Sequence, residues 1–142
     1  MPSSSEATRG PGLSVGLRAS VQATVTEADT AEAMGSGDVP VLATPRLLAL
    51  AEAASSAAVA PQLADGFTTV GTSASVEHRR ASPLGAEVVV EAELTEVDGR
   101  RLVFGFIARA QNTGEDVVVG AGTVERVMLD RERFIARAQA GG

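Results

Sequence analysis

His78 is the single histidine among 142 residues, and it lies in the stretch SASVEHRRASPLG (73–85). Histidine is the one side chain whose ordinary pKa lies close to neutrality, which suits it to take and return a proton. The chain has no cysteine, and all 12 basic residues are arginine. Thiolate nucleophiles, cysteine-bound metals, Schiff-base lysines and the phosphate-gripping lysine of a P-loop are therefore excluded. Acid–base chemistry at neutral pH would fall to His78 or to a carboxyl group with a raised pKa. Read in steps of two, Val70, Thr72, Ala74, Val76 and His78 share one face of a strand. Ser73, Ser75, Glu77 and Arg79 take the other. The imidazole thus ends a mostly apolar face, as a packed histidine or as a base.

Two further polar residues sit where chemistry is possible. Thr44 precedes Pro45 at the start of TPRLLALAEAASSAAVA. Thr before Pro reads as a helix cap, with proline in the first helical position. A cap also brings its hydroxyl beside free backbone N–H groups at the positive end of the helix dipole. A carbonyl placed there would meet oxyanion donors. Glu52 lies mid-helix among Ala and Leu, where a carboxylate is costly unless paired. Eight residues separate it from Thr44, about 12 Å along the axis. A Glu side chain leans toward the helix N-terminus and shortens the gap, but direct contact within one helix is not expected. Either His78 lies between them or a partner subunit supplies one of the groups.

The surrounding pattern must position these residues. Residues 13–26 alternate, with Val15, Leu17, Ala19, Val21, Ala23 and Val25 on one side, as in a half-buried strand. A short helix is expected over 27–34 and a flexible loop at GSGDVP (35–40). The Thr44 helix runs about 16 residues to Pro61 and is apolar on nearly all sides, so it should be buried. Strands are expected over 67–80, 86–97, 100–111 and 117–129, with a tight turn at VDGR (97–100) and further turns at ASPLG and NTGED. RERFIARA (131–138) predicts a short last helix. The order implies an α+β fold in which one curved antiparallel sheet wraps one long central helix. Its open sheet edges favour a homodimer, or dimers paired into a tetramer.

Composition narrows the setting. With 44% hydrophobic residues the chain folds, but four Phe and no Trp or Tyr leave the core to Ala, Val, Leu and Ile. The Ala-rich helix and few aromatics suggest a compact pocket. Residues 1–12 read as a disordered leader, and 13–138 as one domain. No apolar run approaches the ~18 residues of a membrane span, and no signal peptide is evident. A net charge of −6 argues against binding nucleic acid or a membrane surface. The absence of cysteine fits the cytoplasm.

Four segments carry a resemblance: VLATPRLLALAEAA, VGTSASVEHRRASPLG, VEAELTEVDGRRLVF and GAGTVERVML. In this order and spacing they resemble the fluoroacetyl-CoA thioesterase family, from about residue 13 to 137. The resemblance implies a hot-dog fold and hydrolysis of a small acyl-CoA, with coenzyme A as part of the substrate and no cofactor or metal besides. It implies Thr44, Glu52 and His78 as the catalytic set, with His78 as base on Thr44 or on a water. It also implies that Gly71 and Arg126 line the substrate site. One departure stands out: GSGDVPVLA carries no aromatic residue, where the fluoroacetyl specialist has aromatics before its threonine.

Each residue also has a plain structural reading. Thr44 could simply cap, Glu52 could lie on an exposed stripe, and Gly71 could permit close backbone packing. Arg126 could pair with an acidic group. Arg79, Arg80, Arg100 and Arg101 read as solvated strand-end charges, or in part as ligands for coenzyme A phosphates. The competing functions are a non-catalytic hot-dog protein binding acyl-CoA or a small apolar ligand, a dehydratase, and a dimerisation module without ligand.

Overall fold

A computed structural model of the chain describes residues 13–112 and 115–141; the leader and the middle of the NTGED turn lie outside them. Five strands form one antiparallel sheet: β1 (Arg18–Thr24), β2 (Phe67–His78), β3 (Glu87–Asp98), β4 (Arg101–Asn112) and β5 (Glu115–Asp130). Their order across the sheet is β1-β3-β4-β5-β2, so β1 and β2 form the two edges. The helices are α1 (Ala31–Met34), α2 (Thr44–Val59) and α3 (Arg131–Gln139).

Alternation builds the core. Val88, Val90, Ala92 and Leu94 of β3 and Leu102, Phe104, Phe106, Ala108 and Ala110 of β4 are buried on one face. They pack on Leu47, Leu50, Ala51, Ala54, Ala58 and Val59 of α2. At roughly 25 cal/mol per Å², such apolar burial is the main term holding helix to sheet. The helix stops where Pro61 forces a 3-10 turn over Ala60–Gln62.

Four expectations are corrected. The first strand begins at Arg18, not 13, because Gly16 takes a φ of 105° and turns the chain; Val15 is exposed. The 27–34 helix is divided into a 3-10 turn, Glu27–Asp29, and α1, with Thr30 between them capping α1 through its side chain. The long helix is not buried all round: Ala49, Ala53 and Ala57 form an exposed stripe one helical turn apart. The face assignment along β2 also changes. A bulge between Gly71 and Ser73 inserts one residue against β5. Thr69 pairs with Met128 and Gly71 with Arg126, while Ala74 pairs with Val124 and His78 with Gly120. Met128, Arg126 and Val124 all point inward. Thr69 and Gly71, rather than Val70 and Thr72, therefore share the inner face with His78.

Candidate active site

The first half of the site is a threonine–histidine pair. Thr44 Oγ1 lies 2.8 Å from His78 Nδ1. This is the spacing of a hydroxyl donating to an unprotonated imidazole nitrogen. Thr44 does not cap its helix: the cap is Ala43, whose carbonyl accepts from Arg46 and Leu47, and Thr44 is the first helical residue. Its hydroxyl is given to the histidine instead. The Thr44 N–H has no acceptor among the described residues, Pro45 has no N–H, and the next two amides are committed to Ala43. The helix start thus offers one free donor rather than several.

The segment before Thr44 is held on three sides. Thr30 bridges Leu42, Val41 bridges Pro83, and the Leu42 N–H donates to Ser82 O at 2.8 Å. The Ala43 N–H donates to Asp29 O at 2.9 Å, and Arg46 pairs with the Asp29 carboxylate at 2.8 Å. These contacts fix the hydroxyl against the end of β2. Desolvation pushes the His78 pKa below its ordinary value, which keeps the imidazole neutral and able to accept a proton. Its Nε2 is buried without a hydrogen-bond partner. A cavity of about 280 Å³ opens beside the pair, with Ala31, Ser36, Val41 and Leu42 on one side and Arg79, Arg80 and Ala81 following His78 on the other. No phenylalanine is among the residues that line it.

Glu52, Gly71 and Arg126 form a second cluster. Arg126 is 8% exposed. It donates from Nε to Thr69 Oγ1 at 2.8 Å, from Nη2 to Thr69 O at 2.9 Å and from Nη1 to Glu52 Oε2 at 3.3 Å. Burial pulls the Arg126 pKa down, and Glu52 opposes the shift; an arginine remains charged. The Glu52 carboxylate rests on Gly71, where a β-carbon would collide with Oε2. Gly71 thus makes room for a carboxylate. Arg126, which the resemblance implies as a substrate contact, is spent on Thr69 and on holding Glu52.

The two clusters do not meet within one chain. Gly71 and His78 are seven residues apart on β2, roughly 20 Å. Thr69 is the functional residue sequence reading missed; only the bulge, hinted at by a glycine inside a strand, could have signalled it. Arg79 pairs with Glu77, and Arg101 with Glu96 and Glu125. Arg100 and Arg80 make no ion pair among the described residues.

The family model for FlK, fluoroacetyl-CoA-specific thioesterase, matches residues 25–132. The chain belongs to that family. The fluoroacetyl-CoA thioesterase of Streptantibioticus cattleyicolor is 39% identical over 99 residues, covering 70% of this chain and 68% of that protein. A crystal structure of the FlK thioesterase superposes with a TM-score of 0.81 at 34% identity, covering 92% of this chain and 98% of that one. An FlK variant in complex with acetyl-CoA gives 0.80 at 30% identity, with coverage of 91% and 98%. The thioesterase-superfamily protein TTHA0967 of Thermus thermophilus gives 0.81 at 24% identity, with coverage of 89% and 91%, and shows the fold alone. The hot-dog architecture expected from the four segments is thereby established, as is a family of thioester hydrolases. Among the described residues no helix is long and apolar enough to cross a membrane.

Proposed function

We propose that this chain hydrolyses a small acyl-CoA thioester through an acyl-enzyme on Thr44. The observation that carries the reading is the 2.8 Å contact between Thr44 Oγ1 and His78 Nδ1, a nucleophile on its base beside a cavity. Thr44 Oγ1 attacks the thioester carbonyl carbon as its proton passes to His78 Nδ1. The tetrahedral oxyanion takes the free Thr44 N–H at the positive end of α2. The C–S bond then breaks and the thiolate of coenzyme A leaves with the proton from His78. Water attacks the acyl ester, giving its proton to His78, and the carboxylic acid and the Thr44 hydroxyl are released. No step needs a metal or a cofactor beyond the coenzyme A of the substrate. The apolar part of the lining, Ala31, Val41 and Leu42, suits a short acyl chain.

Among the described residues of its own chain, no carboxylate pairs with His78 to hold the cation that forms there. A homodimer supplies one. The five residues Gly71–Ser75 of edge strand β2 are exposed together, beside the Ala49–Ala53–Ala57 stripe. Antiparallel pairing of β2 with its copy about a two-fold axis through Ser75, with the Gly71–Thr72 bulge facing a single residue, places Gly71 opposite His78 of the partner subunit. Glu52, seated on Gly71, then faces the partner's histidine and steadies its charge, held in place by Arg126. The lack of cysteine and a coenzyme A substrate support a cytoplasmic location.

Mixing two inactive variants tests both ideas at once. Thr44→Ala and Glu52→Gln, each dead as a homodimer, should recover about a quarter of wild-type activity after subunit exchange, because half the dimers carry one intact site. Intact mass after a rapid quench with acyl-CoA should show the acyl group on Thr44. Failure to recover activity despite demonstrated exchange would refute the shared site. Turnover with no acyl adduct and no burst of thiol would favour activated water over the acyl-enzyme.

A further inference from the structure

Only four aromatic residues occur in the chain, all phenylalanine. Phe104 and Phe106 are buried in the core. The other two, Phe67 and Phe134, line one cleft with a volume of about 360 Å³. Arg100, Arg133 and Arg137 line the same cleft. All three arginines are exposed, and none makes an ion pair among the described residues. Asp130 is the one carboxylate in the lining, and its Oδ1 accepts the Arg133 N–H to cap α3. Three guanidinium groups against one engaged carboxylate leave a positive cleft on a chain of net charge −6.

The fold assembles this site from three distant segments. Phe67 begins β2 and pairs with Asp130 at the end of β5. The Arg131 N–H donates to Gly66 O at 2.9 Å, which docks α3 against the start of β2. Arg133 and Arg137, one helical turn apart, share a face of α3. Arg100 comes from the β3–β4 turn, which the Met128 N–H fastens by donating to Arg100 O at 2.9 Å. Forked guanidinium groups match phosphate oxygens, and phenyl faces match a purine ring.

We propose that this cleft binds the adenosine 3′,5′-bisphosphate end of the acyl-CoA being cleaved in the active site shared with the partner subunit. The assignment rests on the acyl-CoA reading above and on its dimer. Within one chain the cleft lies eleven residues of strand from His78, roughly 36 Å. In the dimer, Phe67 is four residues from Gly71, about 13 Å from the point that faces the partner's His78. The cleft and that histidine are then separated by a stretch an extended pantetheine arm can cross.

The test compares acyl-CoA with the matching acyl-pantetheine, which lacks the nucleotide. The variants are Arg133→Gln, Arg137→Gln, the double variant and Arg100→Gln; their folding is checked by melting temperature. Each substitution should raise KM for acyl-CoA about tenfold, with kcat retained. Hydrolysis of acyl-pantetheine, which gives these arginines nothing to grip, should proceed as in wild type. Adenosine 3′,5′-bisphosphate should inhibit competitively against acyl-CoA, and the double variant should bind it at least tenfold more weakly. An unchanged KM for acyl-CoA, equal damage with both substrates, or inhibition that is not competitive would each overturn the assignment. Should wild type cleave neither thioester, the catalytic reading fails by itself. Calorimetric titration of adenosine 3′,5′-bisphosphate then decides for the cleft, whose assignment stands on binding that the double variant loses and falls without it.

Discussion

Replacing Gly71 with alanine isolates the seat of the Glu52 carboxylate. The new β-carbon would occupy the space now filled by Glu52 Oε2. To restore ordinary contact the carboxylate must withdraw by about 1 Å, and a displacement of that size near reacting groups costs roughly 100-fold in rate. The 3.3 Å contact with Arg126 would break in the same movement. The backbone itself tolerates alanine, because Gly71 is not among the glycines of positive φ. Stability should therefore stay within about 1 kcal/mol of wild type. Steady-state thiol release from acetyl-CoA and fluoroacetyl-CoA, with a melting curve on the same sample, measures both quantities. The expected result is kcat down about 100-fold with little change in KM or melting temperature. Adding Gly71→Ala to Glu52→Gln should cost nothing further, since both act through one carboxylate. A variant within twofold of wild-type kcat, or losses that multiply in the double variant, would refute the idea that Gly71 serves catalysis by seating Glu52.

The pH profile should follow His78. Burial lowers its pKa while the partner's Glu52 opposes that shift, so kcat/KM should rise with pH as the imidazole gives up its proton; a rate that falls as pH rises through neutrality would contradict a neutral base. The same shift affects stability. Above 6.5 the histidine is neutral in both folded and unfolded chains. As pH falls below 6.5 the unfolded chain takes up the proton first, so stability is lost from there down to the folded pKa. His78→Gln should remove that loss in denaturation curves, and should lower kcat by about 10²–10⁴. Arg126→Leu breaks three hydrogen bonds and leaves Glu52 unpaired. With Glu52 itself 42% exposed, the cost should be about 2 kcal/mol, below that of a fully buried pair, and urea denaturation will read it. Ala53→Arg places a charge on the exposed stripe of α2. Light scattering should show monomers, and hydrolysis should vanish while the melting transition remains; an active dimer would locate the interface elsewhere.

Residue types and short-range periodicity were enough for several features. Alternation at Val88–Leu94 and Leu102–Ala110 marked the buried strand faces, because side chains on a strand have a period of two whatever lies around them. VDGR marked the β3–β4 turn, and Pro61 the end of α2. The single histidine, with cysteine and lysine absent, singled out His78 as the leading base before any contact was known. What the sequence could not fix depends on long-range register. One extra residue at the β2 bulge changes which residues share a face, and so brings Gly71 and His78 to the same side of the sheet. Bulges are set by pairing with a strand about fifty residues away, not by local propensity. Thr44 reads locally as a cap, yet its hydroxyl goes to His78, 34 residues on, while Ala43 takes the capping position. Arg126 meets Glu52 across 74 residues of chain, through a contact made only when the helix packs on the sheet. The positive cleft likewise exists only because α3 docks beside the start of β2 and the β3–β4 turn, which gathers arginines from two segments and phenylalanines from two. Local chemistry named the groups, and tertiary structure decided which of them could touch.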